Sequence, residues 1–190
     1  MITNYAETNH HWQSWQQEYR YGVLLLFPAE PLRSQVNQLR NHHDPVSQAT
    51  CDAHISLTVP LPGPISTMQW QELITIAAAI PAIPIRYGPL MNYLPHPGVC
   101  IAIEPQQELD QLRMALESAS VFASAVERRY PFSAHMTIAE FISVEQTEEF
   151  MVELESLAPQ GMFTCDSVAY AVPDEHFHFT ERGQLRLSGV

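Results

Sequence analysis

Hydrophobic positions along the chain alternate between continuous apolar runs, which read as strands, and stripes at three- and four-residue spacing, which read as helices. Tyr21 to Phe27 is a continuous apolar run and predicts a buried strand. Pro31 suits the first turn of a following helix, on which Leu32, Val36 and Leu39 make one stripe. Ala53 to Val59 predicts the next strand, and the Pro60 to Pro64 segment stops it, because proline cannot extend an interior ladder. Ser66 with Gln69 forms a capping box that opens a helix carrying Trp70, Leu73, Ile74 and Ala77. A short strand over Ile83 to Tyr87 completes the first half.

Gly88 to Gly98 contains Pro89, Pro95 and Pro97, which predicts an ordered linker and a boundary between two halves. The second half repeats the order: a strand from Val99 to Ile103, then a helix with Leu109, Leu112, Leu116, Ala119 and Val126 inward. A strand from Ser133 to Phe141 follows, then an acidic helix from about Glu145 to Leu157 with Phe150, Leu154 and Leu157 as its core stripe. Met162 to Val172 predicts a further strand, and Gly183 a turn between closing strands at Phe177 to Thr180 and Leu185 to Leu187. Strand, helix, strand, helix, strand in each half predicts an α+β protein of two related lobes. Residues 1–20 form an N-terminal arm with Trp12, Trp15 and Tyr19 at helical spacing, and 21–190 form one bilobal domain.

Composition narrows the chemistry. Twenty-one acidic residues stand against 9 basic ones in 190, for a net charge of −12. All the basic residues are arginine, which excludes a lysine nucleophile and with it ligation through a lysine adenylate. The absence of a Lys/Arg cluster argues against binding to long nucleic acid, which requires many phosphates to be neutralised. No apolar stretch approaches the roughly 20 residues that span a bilayer, and the polar N-terminus lacks a secretory pattern, so a cytoplasmic protein is expected. Cys51, Cys100 and Cys165 are spaced for neither a disulfide framework nor a zinc knuckle and predict buried thiols. Glycine-rich phosphate loops are absent.

One pattern occurs twice. The middle strand of the first half reads His54-Ile55-Ser56-Leu57-Thr58, and that of the second reads His135-Met136-Thr137-Ile138-Ala139. Alternation along a strand places His54 with Ser56, and His135 with Thr137, on one face, with the intervening apolar residues on the other. A histidine two residues from a hydroxyl is suited to a phosphate whose oxygen the hydroxyl holds, with the second lobe supplying the mirror-related pair.

Over about residues 20 to 190, this paired H-x-[ST] signature resembles the two-histidine (2H) phosphoesterase superfamily, which includes RNA 2′,3′-cyclic phosphodiesterases and 2′-5′ RNA ligase-like enzymes. The resemblance implies two pseudo-symmetric lobes, each an antiparallel sheet with helices on its outer face, and a central cleft onto which both motifs open. It implies catalysis by His54 and His135, phosphate binding by Ser56 and Thr137, and no metal or cofactor. The expected reaction opens a 2′,3′-cyclic phosphate or a related nucleotide or RNA-end phosphoester. The alternative is a non-catalytic module that holds a nucleotide or phospho-ligand on the same fold. A monomer is expected, with a dimer conceivable through the aromatic arm. An imidazole pair acting as acid and base predicts a bell-shaped kcat/KM with both limbs between about pH 5 and 8. Glu140 departs from the basic residue that many RNA-acting relatives carry after the second motif, which counts against a long RNA substrate.

Other candidates are read as structural. His176 and His178 are expected as an exposed pair beside a turn, and His10-His11 and His42-His43 as loop residues rather than metal ligands. Arg86, Arg128, Arg129, Tyr87, Tyr93, Tyr130 and Tyr170 are assigned no catalytic role.

Overall fold

The structure, a computed structural model, describes residues 4–7, 12–93 and 96–189, so His10 and His11 lie outside the described residues. Strands β1 (Val23–Leu26), β2 (Ile55–Ser56), β3 (Ile83–Asn92), β4 (Gly98–Glu104), β5 (His135–Glu140), β6 (Gly161–Cys165), β7 (Ser167–Pro173) and β8 (Phe179–Arg186) form one sheet. Its order is β6-β3-β4-β5-β2-β1-β7-β8, and every strand pairing is antiparallel. The sheet falls into two four-stranded halves that meet where Ile55 of β2 pairs with Met136 of β5.

Four helices lie on one face: α2 (Leu32–His43), α4 (Thr67–Ala78), α5 (Gln106–Glu117) and α6 (Val144–Leu154). Val36, Leu73, Leu109, Leu112, Leu116 and Leu154 are buried there with Leu24, Leu26, Ile55, Ile101, Met136 and Ile138 of the sheet. The short α1 (Ser14–Gln17) belongs to the N-terminal arm, which covers part of the opposite face. Trp12 of the arm is buried with Val23, Leu25, Phe177 and Phe179, and its indole N–H donates to the carbonyl of Glu175. This explains the unbroken apolar run of β1: Leu24 and Leu26 enter the main core, while Val23 and Leu25 meet the arm. Gly22, at φ +86°, precedes β1 and lies so close to β7 that a Cβ would be 2.4 Å from the Ala171 carbonyl.

Several expectations are corrected. The Gly88 to Gly98 stretch is not a boundary: β3 runs on to Asn92 through an irregularity between Tyr87 and Leu90, then pairs with β4. The two sheet halves are interleaved in sequence, since β7 and β8 join β1 and β2. β2 ends at Ser56 because the amides of Leu57 and Thr58 both donate to the Leu24 carbonyl, which breaks the ladder. α5 stops at Glu117, so Val126 lies beyond it and is exposed, as is Leu157 beyond α6. Asp166 separates β6 from β7 where one strand was expected. Gly183 lies inside β8, opposite Tyr170 at a register shift, rather than in a turn. A further helix, α3 (Pro45–Thr50), follows α2 directly, capped by the Asp44 side chain, which accepts from the Ser47 amide.

Candidate active site

The two motifs face each other across the sheet's midline. With Ile55 opposite Met136, the antiparallel register sets His54 across from Thr137 and Ser56 across from His135. Ile55, Leu57, Met136 and Ile138 are buried in the main core. Alternation therefore turns His54, Ser56, His135 and Thr137 to the opposite face, the one the arm partly covers. The proximity is felt electrostatically, since the charge of His135 acts on His54.

Each imidazole is fixed in the same way. His54 Nδ1 lies 2.7 Å from the Asp52 carbonyl, and His135 Nδ1 lies 2.7 Å from the Ser133 carbonyl. A carbonyl only accepts, so Nδ1 carries the proton and the neutral ring keeps its lone pair on Nε2 for chemistry. The backbone before each histidine is held by an amide side chain of the first long helix in its half. Asn37 Oδ1 of α2 accepts from the Ala53 amide at 2.7 Å, and Gln106 Oε1 of α5 accepts from the Ala134 amide at 2.8 Å.

Arg40 joins the two motifs from beneath. It is 2% exposed, and its guanidinium donates to the carbonyls of Thr137 (2.8 Å), Ser47 (2.8 Å) and Cys51 (3.1 Å) and to Gln48 Oε1 (3.1 Å). On the other side, Arg128 Nη2 donates to the Leu57 carbonyl at 2.9 Å, and Glu117 of α5 accepts from the Val59 amide at 2.8 Å. Arg128 thereby holds the segment after β2, and it also lines a cavity with Ser56. Sequence reading missed Arg40, since its position in an amphipathic helix resembles any other arginine; only its place on the α2 stripe beside Val36 and Leu39 signals burial.

Burial disfavours the imidazolium of both histidines. His54 is pushed down to about 4, chiefly by desolvation, against its bond to the Asp52 carbonyl and reinforced by the charges of Arg40 and His135. His135 is lowered by desolvation against its bond to the Ser133 carbonyl, and its ring stacks on Tyr93 with centroids 4.2 Å apart. Tyr93 therefore touches the site, although the sequence assigned it nothing. Glu140 follows Thr137 by three residues, and its Oε1 lies 3.4 Å from Ser47 Oγ. Desolvation raises its carboxyl, opposed by Arg40 and supported by Asp44.

His54 and Ser56 line a cavity of about 280 Å³ shared with Trp15, Tyr19, Glu140, Phe141, Phe177 and Phe179. His176 and His178 are exposed around a turn where Asp174 accepts from both amides, and the ring of His178 bonds to the Ala49 carbonyl. His42 and His43 lie on the last turn of α2 rather than in a loop. Their ligand atoms and that of Glu153 fall within 4.8 Å of one another, and the His43 ring packs on Phe150. Tyr170 is fully buried and donates to the Tyr21 carbonyl at 2.7 Å. All three cysteines are free and buried, as expected. Among the described residues, no helix is long and apolar enough to cross a membrane.

An antiparallel α+β sheet that pairs two H-x-[ST] strands at its centre defines a two-histidine phosphoesterase architecture. The chain belongs to the 2′-5′ RNA ligase superfamily, whose family model matches residues 28–176. Apo LigT of E. coli is similar in structure, with a TM-score of 0.57 and 19% identity over 88% of this chain and 96% of that one. LigT of E. coli complexed with 3′-AMP gives 0.60 and 16% over 88% and 97%. A structure described as a phosphoesterase gives 0.58 and 16% over 88% and 97%. At these identities the likeness is one of fold. No curated protein matches the chain in sequence.

Proposed function

We propose that the protein is a phosphodiesterase that opens a 2′,3′-cyclic phosphate, or a related nucleotide or RNA-end phosphoester, by two-histidine acid–base catalysis. The observation that carries this reading is the matched pair of imidazoles on one sheet face, each tied through Nδ1 to a backbone carbonyl and each two residues from a hydroxyl. His54, the more strongly displaced from its ordinary value, is the base. Its Nε2 takes a proton from water as the water oxygen bonds to phosphorus. His135, entering the reaction protonated, gives its Nε2 proton to the ribose oxygen as that oxygen's bond to phosphorus breaks. The product is a phosphomonoester, and the proton pair is restored by exchange with solvent. Ser56 and Thr137 donate to the phosphoryl oxygens as their charge grows. The cocrystallised 3′-AMP of the LigT structure is a small nucleotide of the type this reaction yields.

The test is hydrolysis of the four nucleoside 2′,3′-cyclic monophosphates in EDTA by the native protein, His54→Ala and His135→Ala. Each variant is expected to lose about 10²- to 10⁴-fold in kcat. Full activity in either, or activity that EDTA abolishes and a divalent ion restores, overturns the reading.

A further inference from the structure

The N-terminal arm shares the face of the sheet that carries the histidines. Its α1 region brings Trp15 and Tyr19 to the cavity that His54, Ser56 and Phe141 also line. Trp15 packs edge-on against Phe177 with centroids 5.4 Å apart, and Tyr19 packs edge-on against Phe179 at 5.9 Å, so both rings are anchored from behind. Trp15 nevertheless stays 41% exposed.

Phe141 is the counterpart. It is 86% exposed, and among the described residues no aromatic ring packs against it. It adopts φ 57°, a left-handed conformation that is uncommon for a bulky residue and that concentrates at functional sites. The ring thus stands free at the end of the strand that carries His135 and Thr137, with its faces open to a ligand. It borders both the cavity at His54 and a larger one of about 720 Å³ that Ser56 also lines.

Resting on the reading of the site as acting on a nucleotide phosphoester, we infer that Trp15, Tyr19 and Phe141 form a nucleobase subsite beside His54 and Ser56. The base of the substrate stacks on these rings while its phosphate sits at the hydroxyls. Aromatic faces suit this ligand because every base presents a π-surface, and stacking needs no positive charge, which the acidic cavity does not offer at Glu140. Trp15 and Tyr19 lie before the 28–176 stretch that the family model matches, and Phe141 lies within it.

The experiment compares kcat/KM for adenosine and cytidine 2′,3′-cyclic phosphates with that for 1-O-methylribose 2′,3′-cyclic phosphate, which has no base. The full-length protein is expected to favour the base-bearing esters by roughly 5- to 150-fold. Trp15→Ala and Phe141→Gly should each reduce that ratio, chiefly through KM. Glycine accepts the backbone conformation at 141, so the second variant is readable even if the first disturbs the arm. Equal efficiency on all three esters by the native protein overturns the subsite while leaving the two-histidine reaction standing. If none of the esters is turned over, the proposed reaction fails, and the subsite is read by tryptophan fluorescence instead. Quenching by 3′-AMP but not by ribose 5-phosphate, diminished in Trp15→Phe, supports it; equal response to both ligands, or none, overturns it.

Discussion

Arg40 donates to the Thr137 carbonyl across 97 residues of sequence and, with the same guanidinium, to the Cys51 carbonyl three residues before His54. One buried cation on α2 thereby ties β5 to the segment that leads into His54. Replacing it with methionine keeps the volume but leaves those carbonyls without donors. Unfolding free energy is expected to fall by roughly 3 kcal/mol, measured by urea denaturation. Arg40→Lys should recover only part of this, since one ammonium cannot reach acceptors arranged around a planar fork. A variant as stable as the native protein would show that the network contributes nothing net.

Burial moves the pH dependence of activity away from the window that free imidazoles suggest. The proposed reaction needs His54 neutral and His135 protonated, so its kcat/KM is expected to peak between their two values. His54 titrates at about 4 and His135 below its ordinary 6.5. The optimum is therefore expected on the acid side of neutrality, with the ascending limb near pH 4 and the descending limb displaced to below the 6.5 of an ordinary imidazole. A profile of kcat/KM still rising at pH 7.5 would contradict this assignment.

The same displacement makes stability fall in acid. Above about pH 6.5, His54 is neutral in both folded and unfolded chains and contributes no slope. Between there and about pH 4, the unfolded chain binds a proton at this position that the folded site refuses. Stability accordingly drops as pH falls, by at most about 1.4 kcal/mol per pH unit from this group, and levels off for it below pH 4. Denaturation midpoints of the native protein and His54→Gln, compared from pH 7.5 to 4, are expected to converge toward low pH. Parallel curves would show that the imidazole is not desolvated.

Glu140 puts a negative charge on the wall of a cavity proposed to receive an anion. Its removal in Glu140→Gln keeps the shape and is expected to lower KM for a cyclic nucleotide by about 3- to 10-fold, with the difference shrinking as salt is added. An unchanged KM across salt concentrations would show that the carboxylate does not sense the substrate.

Local pattern made the chemistry legible because it depends on alternation along single strands. A histidine, an apolar residue and a hydroxyl in sequence must share faces in one way only once the strand forms. The stripe Leu109, Leu112 and Leu116 was equally readable, as was the Ser66 cap of α4. The helix bounds failed at Val126 and Leu157, where apolar residues continue the spacing past the chain's actual exit into turns. Gly183 and the Gly88 to Gly98 stretch were misread because glycine and proline mark bulges inside long strands as well as turns between short ones.

By itself the sequence determined the element types, the family signature, and the residues that share a face. Tertiary structure alone decided that Ile55 pairs with Met136, that β7 and β8 close the N-terminal half, that Arg40 is buried beneath both motifs, and that the arm lies on the histidine face. The physical reason is range. Periodicity records which side of an element avoids water, whereas the partner on that side is chosen by packing and hydrogen bonding between segments far apart in the chain, which no local pattern encodes.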